Sequence, residues 1–279
     1  MEEENNREEY SMLGAIIGDI VGSRFERHNI KSKKFDFFAP DCRPTDDSVM
    51  TLAIAKAFLS CDSGYSDLAD QAVICMRELG RCYSNAGYGG RFIQWLNLEH
   101  PKPYGSFGNG SAMRVSPCAY AAATLDDALR LAEITAAVTH NHPEGIRGAK
   151  VVAGAVFLAL HSAGKKQIKK FIEENYYRLD FTLNKIRPVY TFDVSCQGSV
   201  PQAIEAFLES TGFEDAIRSA ISIGGDSDTI AAITGSIAEA YYGIPAALRT
   251  QALSYLDEVQ IDILNRFEKK YGTANRSLL

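Results

Sequence analysis

Residues 13–18 read LGAIIG and residues 148–155 read GAKVVAGA, so both segments combine small residues with aliphatic ones. Small side chains allow the axes of two packed helices to approach closely. We therefore expect these segments to be central helices of an all-α protein, folded as a compact single-domain helical bundle.

Apolar residues recur at helical spacing in several other segments of the chain. These segments are residues 48–59, 126–138, 229–241 and 246–271, of which the last contains one or two helices. Ser199 followed by Pro201 predicts an N-cap and a first-turn proline, opening a helix that runs through Leu208. Signals for β-strands are short and confined to Phe35–Phe38 and Val189–Val194.

The charge balance excludes some classes of partner. The chain has 279 residues, with 29 Lys and Arg against 35 Asp and Glu, and a formal net charge of −6. This balance argues against a broad nucleic-acid or anionic-membrane interface, because both need clustered positive charge. No segment approaches the ~18 consecutive apolar residues of a membrane span. We therefore expect no membrane partner.

The N-terminus and the cysteines indicate the cellular compartment. Residues 1–10 are acidic where a secretory signal would be basic and then apolar, which predicts a flexible arm before a single domain over residues 11–279. The six cysteines contain no C-x-x-C pair. Scattered thiols without an export signal favour a cytoplasmic protein with reduced, mostly buried cysteines.

Two acidic clusters immediately precede apolar helical segments: residues 44–48 (PTDDS) and residues 224–229 (GGDSDT). One interpretation is helix capping, because an Asp there accepts backbone N–H bonds and complements the helix dipole. The other is metal binding. Adjacent carboxylates repel each other, residues i and i+2 of an extended D-x-D point the same way, and threonine hydroxyls add hard donors. The pattern alone leaves both interpretations open.

Glu26 and residues 105–114 (GSFGNGSAMR) are further candidates. Glu26 is either an ordinary surface acid or a spare carboxylate for general-base work, since four Asp residues already balance two divalent cations. The glycine-rich segment is either a flexible surface loop or a loop whose N–H groups approach a phosphate. Phe107 within it either stacks on a base or packs into the core.

The order of these motifs resembles the ADP-ribosylglycohydrolase family. The matching motifs are GAIIGD (14–19) leading to FE (25–26), TDDS (45–48), GYGG (87–90), SFGNGSAMR (106–114), TH (139–140), SVP (199–201) and IGGDSDT (223–229). Each motif is moderately specific, and their joint order along nearly the whole chain is highly specific.

The resemblance implies an all-α fold with two Mg²⁺ or Mn²⁺ ions in a central cleft, and hard oxygen donors suit these ions better than zinc. The implied metal ligands are Thr45, Asp46, Asp47, Asp226, Asp228 and Thr229. The implied substrate-binding residues are Gly87, Gly105, Ser106, Phe107, Gly108, Asn109, Gly110, Met113 and His140. The implied catalytic residues are Glu26, Asp46 and Asp226.

The activity implied by the resemblance is hydrolysis of the glycosidic bond between ADP-ribose and an acceptor, with release of ADP-ribose. The substrate would be an ADP-ribosylated protein or small molecule, with nucleic acid expected only as a modified substrate. One alternative is a non-catalytic ADP-ribose-binding protein on the same fold. Another is a Mg²⁺-dependent phosphohydrolase, since residues 226–229 (DSDT) superficially resemble the motif D-x-D-x-T. That motif should follow a buried β-strand, whereas here it follows a helical stretch.

Overall fold

The structure, a computed structural model, describes residues 12–272, and the predicted arm at residues 1–10 lies outside this range. The helices are α1 (Leu13–Gly22), α2 (Asp46–Ser60), α3 (Leu68–Cys82), α4 (Gly90–Asn97), α5 (Gly110–Met113), α6 (Ser116–Ala121), α7 (Leu125–Ala137), α8 (Pro143–Leu160), α9 (Lys165–Asn175), α10 (Leu183–Ile186), α11 (Cys196–Glu209), α12 (Phe213–Ile221), α13 (Ser227–Tyr242), α14 (Ala246–Leu253) and α15 (Glu258–Tyr271). No β-strand occurs in residues 12–272, which confirms the all-α prediction. None of the helices in this range has both the length and the apolar character needed to cross a bilayer.

Helices α1 and α13 pack against each other with their backbones in contact. A Cβ atom at Gly18 would overlap the carbonyl oxygen of Ala231, and one at Gly14 would overlap that of Gly235. Only residues without a side chain permit so close an approach. The carboxylate of Glu239 in α13 then accepts a 2.6 Å hydrogen bond from the N–H of Gly14, which serves as a cap for α1.

The α1–α13 pair is the centre of the bundle. Helices α11 and α12 pack on α13, α2 packs on α1, α3 and α15, and α8 contacts α5, α7, α11 and α13. All residues of α13 from Ser227 to Ala240 are buried. The prediction that residues 13–18 and 148–155 belong to central helices is therefore confirmed.

Helix α11 begins earlier than predicted. Its N-cap is Ser195, whose hydroxyl accepts a 3.1 Å hydrogen bond from the N–H of Gly198. Ser199 lies one turn inside the helix and donates through Oγ to the carbonyl of Ser195, and Pro201 is also internal. The assignment of Ser199 as the N-cap was wrong because Ser195 already satisfies the first free N–H groups.

The two predicted strands are also absent from the described chain, where the end of the second segment adjoins a single isolated antiparallel bridge between Gly108 and Ser195 and extends into no ladder. Phe35 and Phe37 instead pack against the guanidinium of Arg218, with ring centroids 4.8 and 5.3 Å from its carbon. The backbone of Val194 accepts a 2.7 Å hydrogen bond from the N–H of Asn109. These apolar stretches hold loops in place against the helical body.

All six cysteines are free thiols, and Cys42, Cys75, Cys118 and Cys196 are buried. Burial raises the pKa of Cys118 and of Cys196 to about 12. Because the thiolate is the reactive form, these buried thiols are chemically inert and serve as small core residues.

Candidate functional site: an acidic cleft between three helix ends

The C-terminal end of α1 and the N-terminal ends of α2 and α13 meet at a cavity of about 700 Å³. Every residue predicted for the site lines this cavity except Gly105 and Phe107. A 3.2 Å hydrogen bond from Thr229 Oγ1 to Asp47 Oδ2 joins the two acidic clusters, although these residues are 182 positions apart. The fold thus brings both clusters into one site.

Asp19 organises the start of α2, and the sequence analysis did not identify it as a site residue. Its fully buried carboxylate accepts hydrogen bonds from the N–H groups of Thr45 (2.8 Å) and Ser48 (3.0 Å). It also accepts from both of their hydroxyls. The usable signal was an unpaired acid in the otherwise apolar segment 13–22.

The capping interpretation of the first acidic cluster is therefore replaced by capping from another helix. Thr45 occupies the N-cap position of α2, and its own side chain makes no capping bond. Asp19 on α1 supplies the acceptors instead, so the carboxylates of Asp46 and Asp47 are left to face the cleft.

Asp47 and Asp228 carry the deepest charges in the cleft. Carboxylate oxygens of Asp19, Asp47 and Asp228 all lie within 4.8 Å of one another. Burial, and then the charge of neighbouring carboxylates, raises the pKa of Asp47 and of Asp228 well above the ordinary range. Oδ1 of Asp47 is buried without a hydrogen-bond donor in the described chain. A divalent cation would supply both the missing positive charge and the missing partner.

Asp46 and Asp226 line the same site, and Asp46 is more exposed than the other three aspartates of the two clusters. Burial is the largest cause that raises the pKa of Asp46 to about 7 and that of Asp226 to about 6, and the charge of Glu26 contributes to both. Asn109 donates a 2.7 Å hydrogen bond through Nδ2 to Oδ2 of Asp226. Asn109 thus orients a carboxylate, a contact that its place in the glycine-rich motif did not indicate.

A tight turn at Gly224 and Gly225 aims Asp226 into the cleft. Both glycines have positive φ, +69° and +78°, which side chains disfavour. The side chain of Asn29 accepts from the N–H of Gly225 (2.7 Å) and donates to its carbonyl (2.9 Å). Asp228 follows in the first turn of α13. The two carboxylates therefore converge through a turn into a helix and not along an extended D-x-D.

Hydrogen bonds within the glycine-rich loop and to Asn141 order its backbone. The N–H of Gly105 donates to Asn141 Oδ1 at 2.7 Å, and the N–H of Gly108 donates to Ser106 Oγ at 3.2 Å. The N–H groups of Gly105 and Gly108 therefore already have acceptors within the protein, which orders this loop and leaves neither of the two N–H groups free for a phosphate. Phe107 points outward with 48% of its surface exposed, and its ring lies 5.4 Å edge-on from that of His142. It does not pack into the core.

A buried arginine beneath this loop sets the state of His140. Arg114 donates to the carbonyl of Gly110 (3.0 Å) and to Thr139 Oγ1 (2.8 Å), and no carboxylate in residues 12–272 forms an ion pair with it. Thr139 Oγ1 lies 2.6 Å from Nδ1 of His140. The hydroxyl of Thr139 can donate its single proton to Nδ1 while it accepts from Arg114, and in that pairing the imidazole proton lies on Nε2.

His140 is neutral in this arrangement. Burial, followed by the charges of Arg114 and Arg91, lowers the pKa of His140 well below its usual value. Nε2 lies beside the loop, because a Cβ atom added at Gly110 would come within 3.2 Å of it. The cleft therefore combines an acidic end with a wall formed by a neutral N–H donor and a buried positive charge.

Comparison with known proteins identifies relatives of this chain. The model of the ADP-ribosylglycohydrolase family matches residues 3–274. ADP-ribosylhydrolase ARH3 of Homo sapiens is 27% identical over 309 residues, covering 84% of this chain and 84% of its own. ADP-ribosylarginine hydrolase Tri1 of Pseudomonas putida (strain GB-1) is 27% identical over 271 residues, covering 86% of this chain and 71% of its own.

A solved structure has the same fold. It is described as an ADP-ribosylglycohydrolase-related protein complex, and it aligns with a TM-score of 0.64 at 24% identity, covering 93% of this chain and 96% of its own. With the family model matching nearly the whole sequence, the chain belongs to the ADP-ribosylglycohydrolase family.

Proposed function

We propose that this member of the ADP-ribosylglycohydrolase family hydrolyses the glycosidic bond between ADP-ribose and a modified side chain or small molecule, releasing ADP-ribose. The observation that carries the proposal is the pair Asp47 and Asp228, two buried carboxylates that form no ion pair with any residue between 12 and 272, at the base of a cleft of about 700 Å³. So much uncompensated charge would destabilise a purely structural site. It suits one that binds cations and a polar substrate.

The residues that would hold two Mg²⁺ or Mn²⁺ ions share hard oxygen donors. They are Thr45, Asp46, Asp47, Asp226, Asp228 and Thr229. Bound ions would orient the ribose hydroxyls and stabilise charge that develops at the reacting carbon. Asp19 is better suited to positioning than to ligation, since its carboxylate already accepts four hydrogen bonds.

Glu26 is the proposed general base. It lines the cleft next to the aspartates, and its charge contributes to the raised pKa of Asp46, Asp226 and Asp228. In the reaction, the oxygen of water bonds to the anomeric carbon while the bond from that carbon to the acceptor breaks. Glu26 accepts the proton that water loses, and the acceptor leaves with the bonding electron pair and takes up a proton. Asp46 and Asp226 are the alternative proton carriers.

The other wall would hold the ADP portion. Ser106, Gly108 and Gly110 line the cleft beside His140, whose Nε2–H can donate to a phosphate oxygen. The buried charge of Arg114 attracts the diphosphate, and no carboxylate in residues 12–272 neutralises it through an ion pair. Phe107 and Phe192, with 48% and 53% of their surfaces exposed, are the aromatic rings that could stack on adenine at the open end.

A panel of ADP-ribosylated substrates with serine and arginine linkages tests the proposal. Released ADP-ribose is measured in EDTA and after addition of Mg²⁺, Mn²⁺ or Zn²⁺. We expect release with Mg²⁺ or Mn²⁺ and none in EDTA. Asp228→Asn should abolish release, whereas Asp180→Asn, at an exposed position away from the cleft, should not.

The same panel separates the alternatives. Binding of ADP-ribose without release from any substrate would indicate a non-catalytic reader on this fold, and turnover in EDTA would refute a metal-dependent reaction. The phosphohydrolase alternative has no structural support. Residues 226–229 follow α12 and a glycine turn, and no strand precedes them in the described chain.

A further inference from the structure

The loop between α1 and α2, residues 23–45, forms the wall of the cleft at its acidic end. It contains no helix or strand, yet it is fixed to the body of the protein. Asn29 is paired with Gly225, Arg218 donates to the carbonyls of Lys33 and Phe35, and Tyr255 donates to the carbonyl of Ala39. The side chains that this loop presents to the cleft therefore stand on a rigid support.

Two arginines and one histidine are among those side chains. Arg27, His28 and Arg43 are exposed and line the cleft. Their side chains make no hydrogen bond or ion pair with any residue between 12 and 272. Arg27 directly follows Glu26, and Arg43 is two residues before Thr45. Both backbones are thus within about 7 Å of a proposed site residue.

Two carboxylates of the same loop, Glu26 and Asp41, also line the cleft. Asp41 lies 3.5 Å from the guanidinium of Arg24. Glu26 faces the aspartate cluster, where its charge contributes to the raised pKa of Asp226. A cationic segment entering beside Arg27 and Arg43 would meet two guanidinium groups of like charge. An acceptor with negative charge would find two guanidinium groups, which bind carboxylates through paired donors.

Resting on the proposed function, we infer that the preferred acceptor is a peptide segment with acidic residues beside the ADP-ribosylated side chain, held by Arg27 and Arg43. A nucleic-acid acceptor would require a longer basic surface than these two residues provide. The net charge of −6 argues against one.

The test uses ADP-ribosyl peptides identical except for two flanking residues on each side, which are Glu, Ala or Lys. Each set is made with a serine and with an arginine linkage. We expect kcat/KM to fall in the order Glu, Ala, Lys, by roughly tenfold from first to last at low salt, as for a few exposed charge pairs. The spread should shrink at high ionic strength. Calorimetry on the slow variant Glu26→Gln should show the tightest binding for the Glu peptide and the weakest for the Lys peptide.

Charge reversal provides the matched variants. Arg27→Glu combined with Arg43→Glu should invert the order of the three peptides. Arg178→Glu should keep the native order, because Arg178 is exposed, lies outside the cleft and has no ion pair in the described structure. Equal kcat/KM and Kd for the Glu and Lys peptides would overturn the inference, as would release confined to an ADP-ribosylated oligonucleotide. If no substrate in either set is bound or cleaved, the proposed function itself fails, and the inference fails with it.

Discussion

Replacing Asp19 tests whether one buried carboxylate on α1 holds the metal-binding end of α2 in place. Asp19→Ala removes the acceptor for the N–H groups of Thr45 and Ser48, at 2.8 and 3.0 Å, and leaves both buried without a partner. Each buried donor left unsatisfied costs about 1–3 kcal/mol. Losing the carboxylate also relieves its repulsion of Asp47, which offsets part of the cost.

We expect Asp19→Ala to lower the free energy of unfolding by about 2–4 kcal/mol, the sum for two N–H groups reduced by that relief. Asp19→Asn keeps one acceptor oxygen and should lose about half as much. Urea unfolding in EDTA measures both variants, and Asp180→Ala is the control, at an exposed carboxylate with no hydrogen bond or ion pair in the described part of the chain. Calorimetry with Mn²⁺ should show weaker binding to Asp19→Ala even where the variant is fully folded, because Thr45 and Asp47 lose their support.

Two results would refute this reasoning. The free energy of unfolding of Asp19→Ala could lie within about 0.5 kcal/mol of the native value, which is the ordinary spread of neutral substitutions. The start of α2 would then be held by something other than Asp19. Alternatively, a destabilised variant could bind Mn²⁺ with native affinity, which would limit Asp19 to general stability and remove it from the site.

Three further predictions concern the cleft. Glu26→Gln should preserve ADP-ribose binding by calorimetry while single-turnover hydrolysis falls by ~10²–10⁴-fold; near-native turnover would move the base to Asp46 or Asp226. Because burial raises the pKa of those two aspartates to about 7 and about 6, the folded protein binds more protons than the unfolded chain. In EDTA its Tm should fall from pH 5 to pH 8, and Mg²⁺ should stabilise it more at pH 8 than at pH 5; a flat profile would contradict the shifts. Thr139→Val should release His140 from the Nε2–H tautomer, seen as a change in its side-chain ¹⁵N spectrum; an unchanged spectrum would refute the relay through threonine.

Local patterns predict much of this protein. Periodicity of 3.6 residues marks helices such as α2 and α13, and the acidic pairs at Asp46–Asp47 and Asp226–Asp228 stand out as short motifs at helix starts. These signals are contained within about ten residues. Contacts along a helix or into its first turn can be recognised without the rest of the fold.

The residues that were missed act across the fold. Asp19 acquires its role from contacts with Thr45 and Ser48, 26 and 29 positions away, and Arg114 acts through Thr139, 25 positions away. An acid within the apolar segment 13–22 marks Asp19 as unusual, but the local sequence around neither residue indicates the distant partners that it contacts. The two false strands fail for a related reason, since a short run of apolar residues becomes a strand only where another strand is present to pair with it.

The glycines that permit the fold also set the spacing of the site. A Cβ atom at Gly22, the last residue of α1, would lie 2.5 Å from the Cα of Asp228. Gly22→Ala must therefore displace backbone that carries a proposed metal ligand. The matched control is Gly80→Ala in α3, where the new methyl group meets only the flexible end of Leu96 at 2.8 Å. We expect Gly22→Ala to weaken Mn²⁺ binding at least tenfold, and Gly80→Ala to change it little, when both are compared at temperatures well below their Tm. Equal Mn²⁺ affinities would mean that α1 and α13 can separate without moving Asp228, so that the glycine contact would serve the fold alone.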